Sequence, residues 1–539
     1  MSGRERVGSL AERAADQFDL ALDTGYAALV TAIVVVLLAP LAWLVIDVGD
    51  LGTRAFALAS SPQTLAVLGR SVALVGVVTA ASILVGVPLA VLTVQASIPF
   101  RRFWTVLIAL PLAVPSYLGA FAALSAFGPT GPLSETLGVP LPTVEGFAGA
   151  AVVLTLYTYP YVFLTTRSSL LSLDASLVEA ARTLNCGRLG AFRRVTLPQI
   201  VPGIAAGALL VALYTLADFG TPNFMNVQVF TQFIYSRHNA HMQGYAALLS
   251  IQLLAVTGVI LAAESRLGAD DSGAYASRGN RGGAELDFGV WRYPAMILPA
   301  LVATLALVLP IGIFAMWLLR GGPGYEFSQL TFSWRIGYNS VYVSLLAAAV
   351  SVLVALPIAL RSASKGSRLS SLAARIPYVG YATPGIVLAI ALVSFSLDVA
   401  SPLYKTIPLL VFAYVVRFMP QAIGSVRAST MQVDGRLIEA ARTLGRSRFD
   451  AFRAVTLPLI APGIVTGAAL VFLTSMKELP ATLLLRPLGF DTLVTFIWRA
   501  EEAGLYGQAA IPAFVLVVVS GLSMAVLLTQ ENQGEDRVT

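Results

Sequence analysis

Residues 179–204 read EAARTLNCGRLGAFRRVTLPQIVPGI, and residues 439–464 read EAARTLGRSRFDAFRAVTLPLIAPGI. Aligned without a gap at an offset of 260, the two stretches are identical at 18 of 26 positions. An internal repeat of this kind divides the chain into two homologous halves before any local motif is considered. Each copy is also polar and rich in arginine, whereas most of the chain is apolar.

Composition indicates a membrane protein. The 539 residues are 57% hydrophobic and 12% charged, with a mean hydropathy of +0.79, whereas a soluble domain carries about 25% charged residues. The apolar residues form runs of the length that spans a bilayer as a helix. We predict an all-α membrane protein with about twelve spans: 27–46, 66–94, 104–127, 147–166, 199–217, 245–263, 294–319, 339–360, 377–397, 407–426, 459–476 and 510–529.

The distribution of positive charge predicts the orientation. With the N-terminus in the cytoplasm, the inside segments carry 25 Lys and Arg residues and the outside segments carry 8; Arg70 and Arg417 are assigned to span edges. Lys and Arg concentrate on the cytoplasmic side of membrane proteins. The net charge of +6 therefore reports orientation, and no basic patch interleaved with aromatic residues indicates nucleic-acid binding. Both termini are expected in the cytoplasm.

Six spans in each half make the repeat parallel, so both copies of the repeated stretch face the cytoplasm. The predicted organisation is a cytoplasmic segment 1–26 with an amphipathic, interfacial lead-in, a first repeat 27–263, a glycine-rich linker 264–293, a second repeat 294–529 and a cytoplasmic tail 530–539. No cleavable signal is expected, because the first apolar run is too long and lacks a small-x-small cleavage site.

Each copy of the repeated stretch is predicted to fold as a helix, a turn and a second short helix. The first helix ends at Asn185 or Gly445, residue types that adopt a left-handed conformation. The second helix covers 190–194 or 450–453, and Pro198 or Pro458 then opens the next span. The plain alternative is a pair of amphipathic loop helices with weak ion pairs, Glu179 to Arg182 and Glu439 to Arg442.

At these residues the chain resembles the permeases of binding-protein-dependent ABC importers. Their EAA motif has Glu-Ala-Ala, a glycine four residues later and a Leu-Pro pair further on. The second copy fits throughout, and the first has Asn185 in place of the glycine. The resemblance implies a type I importer fold and, as the segments that dock on the ATPase, these residues: Glu179, Ala180, Ala181, Asn185, Gly187, Glu439, Ala440, Ala441 and Gly445.

The resemblance also implies partners and a mechanism. Two copies of a separate ABC ATPase would bind the cytoplasmic face and hydrolyse ATP, and an extracytoplasmic binding protein would deliver the substrate. Alternating access would carry it across the cell membrane, so the chain itself is expected to be no enzyme and to hold no cofactor. The fused halves look most like ferric-iron permeases, and permeases for thiamine, phosphonate and polyamines are similar.

Polar residues at the outer ends of spans 5 and 11 are candidates for the transport pathway, because charges at bilayer depth are costly and therefore tend to be functional. They are Asp218, Phe219, Gly220, Lys477 and Glu478. Each carboxylate has an alternative role as a helix cap or as half of a local ion pair, such as Lys477 with Glu478.

Other chemistry receives little support. The chain lacks a phosphate-binding GxxxxGK[ST] motif, and Cys186 is its only cysteine. His238 and His241 have the spacing to share a helical face and bind metal, but no third ligand is adjacent, so a structural or surface role is favoured. A secondary transporter is the rival of another class and predicts charges deep in several spans. A membrane-embedded enzyme would need a constellation of His, Asp and Glu.

Overall fold

The computed structural model describes residues 28, 30–129, 131–184, 187–269, 292–320, 331–363, 377–519 and 521–522. The predicted N-terminal helix, most of the predicted linker and the tail 530–539 lie outside these residues. Most of the described part is helical, as the sequence predicts. The first repeat contains α1 (Val30–Gly49), α2 (Arg54–Ala59), α3 (Pro62–Gln95), α4 (Arg101–Ala109), α5 (Ser116–Ala126), α6 (Pro132–Leu137), α7 (Gly146–Leu171), α8 (Ala175–Thr183), α9 (Arg188–Ala191), α10 (Leu197–Ala217), α11 (Gly220–Phe224), α12 (Phe230–Asn239) and α13 (Gln243–Ala269).

The helices continue in the same manner after the predicted linker. They are α14 (Arg292–Ala295), α15 (Ile297–Ala303), α16 (Leu309–Leu319), α17 (Trp334–Ala363), α18 (Pro377–Ala382), α19 (Gly385–Val399), α20 (Ile407–Met431), α21 (Gly435–Thr443), α22 (Arg448–Ala451), α23 (Leu457–Met476), α24 (Pro480–Leu485), α25 (Leu493–Glu502) and α26 (Tyr506–Val519). Because α13 extends to Ala269, the first residues of the predicted linker 264–293 are helical.

Nine helices in the described part are long and apolar enough to cross a membrane, or ten if the bent pair Arg101–Ala113 and Ser116–Ala126 is one span. That pair bends by 86° at Pro115, which cannot continue a helix. The predicted span 377–397 is divided at Pro384 into α18 and α19, and the predicted span 510–529 is described only as the shorter helix α26. Prolines therefore break two of the expected spans, whereas Pro88 and Pro357 lie inside intact helices.

The chain divides into two compact units. The smaller unit comprises Met1–Trp43, Asn339–Thr383 and Ala391–Gly489, and the larger unit comprises Leu44–Tyr338, Pro384–Ile390 and Phe490–Thr539. These units are defined by contacts and the repeats by sequence, so the repeat boundaries remain a prediction.

Close helix packing within each unit depends on glycine. In the larger unit, a Cβ atom on Gly207 of α10 would lie 2.6 Å from Val162 Cα of α7. In the smaller unit, a Cβ atom on Gly467 of α23 would lie 2.9 Å from Ala422 Cα of α20. Both glycines end a Gly-x-x-x-Gly pattern, which lets helix backbones approach each other in a membrane. The equivalent helix pairs thus cross at equivalent residues.

Three π-helical turns share one sequence feature. They cover Phe192–Thr196, Thr304–Val308 and Phe452–Thr456, and each is followed directly by Leu-Pro. Proline lacks an N–H group, and its ring crowds the carbonyl four residues earlier. The wider π turn relieves this crowding. Pro198 and Pro458 were predicted to open the next span. In the structure each lies within a continuous helix, which runs from α9 into α10 and from α22 into α23.

Candidate functional site

The repeated stretches form two surface helices, α8 and α21, with the same N-terminal cap. The Oδ1 atom of Asp174 accepts a hydrogen bond from Ser176 N at 3.0 Å, and Oδ1 of Asp434 accepts one from Arg436 N at 3.0 Å. A carboxylate in this position satisfies a backbone N–H group that has no partner within the helix. The two caps lie 260 residues apart, as the repeat predicts.

The C-terminus of α21 is closed by a Schellman turn. Gly445 has φ +83°, its N–H group donates to Arg442 O at 3.0 Å, and Arg446 N donates to Ala441 O at 3.2 Å. This pattern requires a left-handed residue at Gly445, so the predicted turn is confirmed there. In the first copy, Asn185 and Cys186 lie outside the described residues; the helix α8 ends at Thr183.

Each surface helix has a buried side and an exposed side. In the larger unit, Val178 is buried in the same apolar cluster as Phe163 and Ile200, and Ala181 packs against that cluster. Ala441 is buried at the position equivalent to Ala181. These small and aliphatic residues anchor the helices to the unit beneath them.

The exposed side carries charged and apolar residues together. Leu184 is 80% exposed and Leu444 is 84% exposed, although leucine is usually buried. The exposed members of the predicted docking segments are Glu179, Ala180, Gly187, Glu439, Ala440 and Gly445. Each unit has its own exposed side of this kind, which we call its apolar docking face; the exposed apolar residues are Leu177 and Leu184 in the larger unit and Leu437, Leu444 and Phe449 in the smaller unit.

The second short helix joins each surface helix to a span. In the second copy, Ser447 Oγ donates to Asp450 Oδ2 at 2.6 Å and accepts from Asp450 N at 3.1 Å, which caps α22. The helix then continues through the π turn into α23. No ion pair joins Glu439 to Arg442, both of which are described, so the weak ion pair of the plain alternative does not form in this copy.

Asp218 and Glu478 occupy equivalent positions at an offset of 260. The Oδ1 atom of Asp218 accepts a hydrogen bond from Thr221 N at 2.9 Å, and Oε1 of Glu478 accepts one from Ala481 N at 3.3 Å. Each carboxylate therefore caps the short helix that follows it, α11 or α24. Lys477, beside Glu478, is half-buried.

The remaining contacts of the two carboxylates differ. Glu478 is 6% exposed, and its Oε1 atom lies 2.6 Å from Nη1 of Arg417, which is 17% exposed. Arg417 was assigned to a span edge from the sequence, but it lies well inside α20. A buried counter-charge makes the arginine tolerable there. The sequence offered Lys477 as an alternative local partner of Glu478; the structure gives Glu478 an ion pair with Arg417.

Two further hydrogen bonds flank this ion pair and make a ladder along one face of α20. Tyr414 OH is 2.6 Å from Thr482 Oγ1, and Thr474 Oγ1 donates to Gln421 Oε1 at 3.2 Å. Residues 414, 417 and 421 are spaced three and four apart, so they lie on one side of a helix. We call these three contacts the polar ladder. They connect α20 to both α23 and the segment that contains α24.

The described hydrogen-bond donors to the Asp218 carboxylate, in the larger unit, are neutral groups. Ser116 Oγ donates to Asp218 Oδ2, and Tyr214 OH donates to Ser116 Oγ at 3.1 Å. Asp218 is half-buried. The position equivalent to Arg417 is Tyr157, whose ring contacts Gly119 on α5 so closely that a Cβ atom there would overlap the ring.

The other two predicted pathway residues serve packing. Phe219 is 2% exposed and stacks on Trp498 with ring centroids 5.2 Å apart. A Cβ atom on Gly220 would lie 2.7 Å from Tyr117 Cβ. Phe219 therefore belongs to an aromatic cluster, and Gly220 allows α11 to approach α5.

The two histidines do not share a helical face. Helix α12 ends at Asn239, and His241 follows in a left-handed turn with φ +58°. His238 Nδ1 lies 2.9 Å from Gln243 Oε1. Within the described ranges, no group of three or more His, Cys, Asp and Glu side chains is placed to hold a metal ion.

Sequence reasoning did not single out Ser116, Tyr214 or Arg417 as site residues. Arg417 had a usable signal, because it is one of few charges inside an apolar run and Glu478 lies beyond the end of another. Ser116 had none, since it is an ordinary serine that follows Pro115 at the start of α5. Only the fold brings it next to Asp218.

Comparisons with known proteins agree with this architecture. The family model described as binding-protein-dependent transport system inner membrane component matches residues 82–265 and 355–530. The Fe(3+)-transport system permease protein FbpB 2 of Haemophilus influenzae is 29% identical over 503 residues, which cover 90% of this chain and 94% of that protein.

Two further relatives differ in how much they cover. The ferric transport system permease protein FbpB of Actinobacillus pleuropneumoniae is 22% identical over 86% of this chain and 70% of its own length. The molybdenum transport system permease protein ModB of Mycobacterium tuberculosis is 31% identical over 172 residues, 31% of this chain and 64% of its own length. With two matched domains over most of its length and apolar helices throughout, this multi-pass membrane protein belongs to the family of binding-protein-dependent transport system inner membrane components and is an ABC importer permease.

Proposed function

We propose that the chain is the permease subunit of an ABC importer for ferric iron. An extracytoplasmic binding protein delivers the substrate, and two copies of a separate ATPase supply the energy. The two relatives named for ferric transport align along nearly the whole chain, whereas the molybdenum permease aligns with about a third of it. Full-length similarity to fused permeases supports iron over molybdate.

The observation that carries the proposal is the pair of equivalent surface helices. Both α8 and α21 are capped by an aspartate and present exposed leucines beside exposed glutamates. An exposed apolar patch rimmed by charge is typical of a protein interface. We assign the docking segments to the ATPase, with Ala181 and Ala441 seating the two helices on the permease and these residues as contacts: Glu179, Ala180, Asn185, Gly187, Glu439, Ala440 and Gly445.

The proposed mechanism couples nucleotide-driven movement of the ATPase subunits to the spans. Since α22 continues through the π turn into α23, a displacement of α21 and α22 is transmitted to α23 through continuous helical backbone. The same holds for α9 and α10. The pathway then opens alternately to the two sides of the membrane, and Asp218, Phe219, Gly220, Lys477 and Glu478 are the candidate residues along it.

Uptake measurements test the substrate and the energy source together. We expect proteoliposomes with the chain in the membrane, its ATPase inside and its binding protein outside to accumulate radiolabelled ferric iron. Accumulation should require ATP in the interior of the vesicle, on the side of the ATPase. Molybdate uptake instead would contradict the iron assignment. Uptake of thiamine or a polyamine would also contradict it, while leaving the importer class intact. Accumulation driven by a proton or sodium gradient without ATP would favour a secondary transporter.

The orientation proposed from charge places both termini and both docking segments in the cytoplasm. Cys186 is the only cysteine of the chain and lies in the first docking segment. A membrane-impermeant maleimide is expected to label it in inside-out vesicles that lack the ATPase, and not in right-side-out vesicles. The reverse pattern would overturn the orientation.

A further inference from the structure

The equivalent carboxylates Asp218 and Glu478 have different electrostatic surroundings. Glu478 is almost completely buried, and its carboxylate contacts the guanidinium of Arg417 at 2.6 Å. Asp218 is half-buried, and its carboxylate accepts hydrogen bonds from the Ser116 hydroxyl and the Thr221 amide. The repeat therefore has one neutralised carboxylate and one whose described partners are all neutral.

The two repeats differ in charge at one pair of equivalent positions near these carboxylates. Arg417 in the second repeat corresponds to Tyr157 in the first, at the offset of 260 that also relates Glu478 to Asp218. A tyrosine hydroxyl carries no positive charge, and Tyr157 OH has no hydrogen-bond partner in the described structure. Consequently the first repeat lacks the counter-charge at the position where the second repeat has it.

A carboxylate with a built-in guanidinium partner has little attraction left for a passing cation, because the two charges largely cancel at a distance. A carboxylate held only by neutral donors, as Asp218 is by Ser116 and Thr221, retains that attraction. Its neighbours Ser116 and Tyr214 also contribute hydroxyl oxygens, and hard trivalent cations prefer oxygen ligands. The two carboxylates are thus suited to different tasks.

We propose that Asp218 alone contacts the cation in transit and that Glu478 is a positioning residue that holds α24 against α20 through Arg417. This inference rests on the proposed function, since it requires a cationic substrate. It differs from a symmetric pathway in which both carboxylates contact the substrate. The polar ladder supports the positioning role, because Tyr414–Thr482 joins α20 to α24 on one side of the ion pair and Gln421–Thr474 joins α20 to α23 on the other.

The test compares Asp218→Asn with the double variant Arg417→Gln/Glu478→Gln in the complete transporter. Asp218→Asn is expected to lower iron uptake roughly tenfold, the order of effect for one lost charge contact, while ATPase association and the amount of protein stay unchanged. Asp218→Glu is expected to recover part of the rate, since it restores the charge. The double variant, which removes both charges of the pair, is expected to transport much faster than Asp218→Asn.

The outcomes separate this inference from the proposed function. If wild type carries iron and Asp218→Asn matches it, Asp218 does not contact the cation. If the double variant assembles normally and loses as much uptake as Asp218→Asn, the division of roles is wrong. If Asp218→Asn is unstable, the test compares Asp218→Glu with the double variant by their iron uptake per assembled complex. An equal loss of uptake in these two variants overturns the inference. If wild type carries an anion instead, the proposed function fails and this inference fails with it.

Discussion

Arg417 and Glu478 form an ion pair that links a spanning helix to the segment after the next span. The Nη1 and Oε1 atoms are 2.6 Å apart, and the two side chains are 17% and 6% exposed. Glu478 Oε1 also accepts the amide of Ala481, so one oxygen serves both the ion pair and the cap of α24. Loss of either charge leaves the other buried without its partner.

We predict that Glu478→Gln and Arg417→Gln each destabilise the permease by about 3 to 5 kcal/mol, the typical effect of breaking a buried pair. The double variant is expected to be less destabilised than the sum of the two single variants, because it leaves no unpaired charge. Thermal unfolding in detergent measures this cycle. Strictly additive effects would mean that the two side chains do not interact.

A second prediction concerns the turn at Gly445. Gly445→Ala places a Cβ atom on a residue with φ +83°, which costs roughly 1 to 2 kcal/mol. The matched control is Gly435→Ala at the start of the same helix, where a Cβ atom meets no other atom within 4 Å and φ is not in the left-handed range. Only Gly445→Ala is expected to weaken ATPase binding in a pull-down and to slow uptake. Equal effects of the two variants would show that the turn conformation is unimportant.

A third prediction concerns helix packing. Gly207→Ala and Gly467→Ala each introduce a Cβ atom within 3 Å of a backbone Cα atom on the neighbouring helix, so the helices must separate. Gly258→Ala in α13 is the control, since its Cβ atom meets nothing within 4 Å, and replacing a helical glycine there is expected to be neutral or stabilising. The melting temperature in detergent should fall for the first two variants alone. Unchanged melting of both would contradict the packing at these crossings.

A fourth prediction concerns pH. Burial and the neighbouring Glu502 raise the pKa of the Glu501 carboxyl from its ordinary value of 4.5 to about 7. Between these two pH values the folded state holds more protons than the unfolded state, so stability contributed by this group falls as pH rises. Glu501→Gln should therefore be more stable than wild type at pH 7.5 and nearly equal to it at pH 4.5.

The measurement for Glu501 is the difference in melting temperature between variant and wild type across that pH range. Glu145→Gln, at an exposed carboxyl in the larger unit, is the control and should show a smaller difference. A Glu501 difference that stays constant with pH would contradict the raised pKa.

The sequence was sufficient for the class of fold and for much of the local structure of the two repeated segments. Hydropathy located the spans, and a single residue, Gly445, located the Schellman turn. The hydropathy pattern did not predict which prolines interrupt a span. Pro115 and Pro384 interrupt helices, whereas Pro88 does not. The difference depends on whether neighbouring helices satisfy the freed backbone groups, which is a property of the assembled fold.

The contacts of Asp218 and Glu478 could be predicted only in part. The repeat correctly made Asp218 and Glu478 equivalent, and their shared capping role follows from local spacing. Their different partners do not, because Arg417 and Ser116 are 61 and 102 residues away from the carboxylates they contact. Contacts over such distances in sequence arise from tertiary packing.

The most direct test of the account is whether both repeated segments touch the ATPase. In the assembled complex, a photo-crosslinking amino acid at position 444 or 184 is expected to form a covalent adduct with the ATPase subunit. The same group at position 56, where Phe56 is 80% exposed in a segment predicted outside, is the control and should form none. Adducts from both 184 and 444 are the predicted result; their absence, or equal adducts from position 56, would contradict the assignment of the docking face.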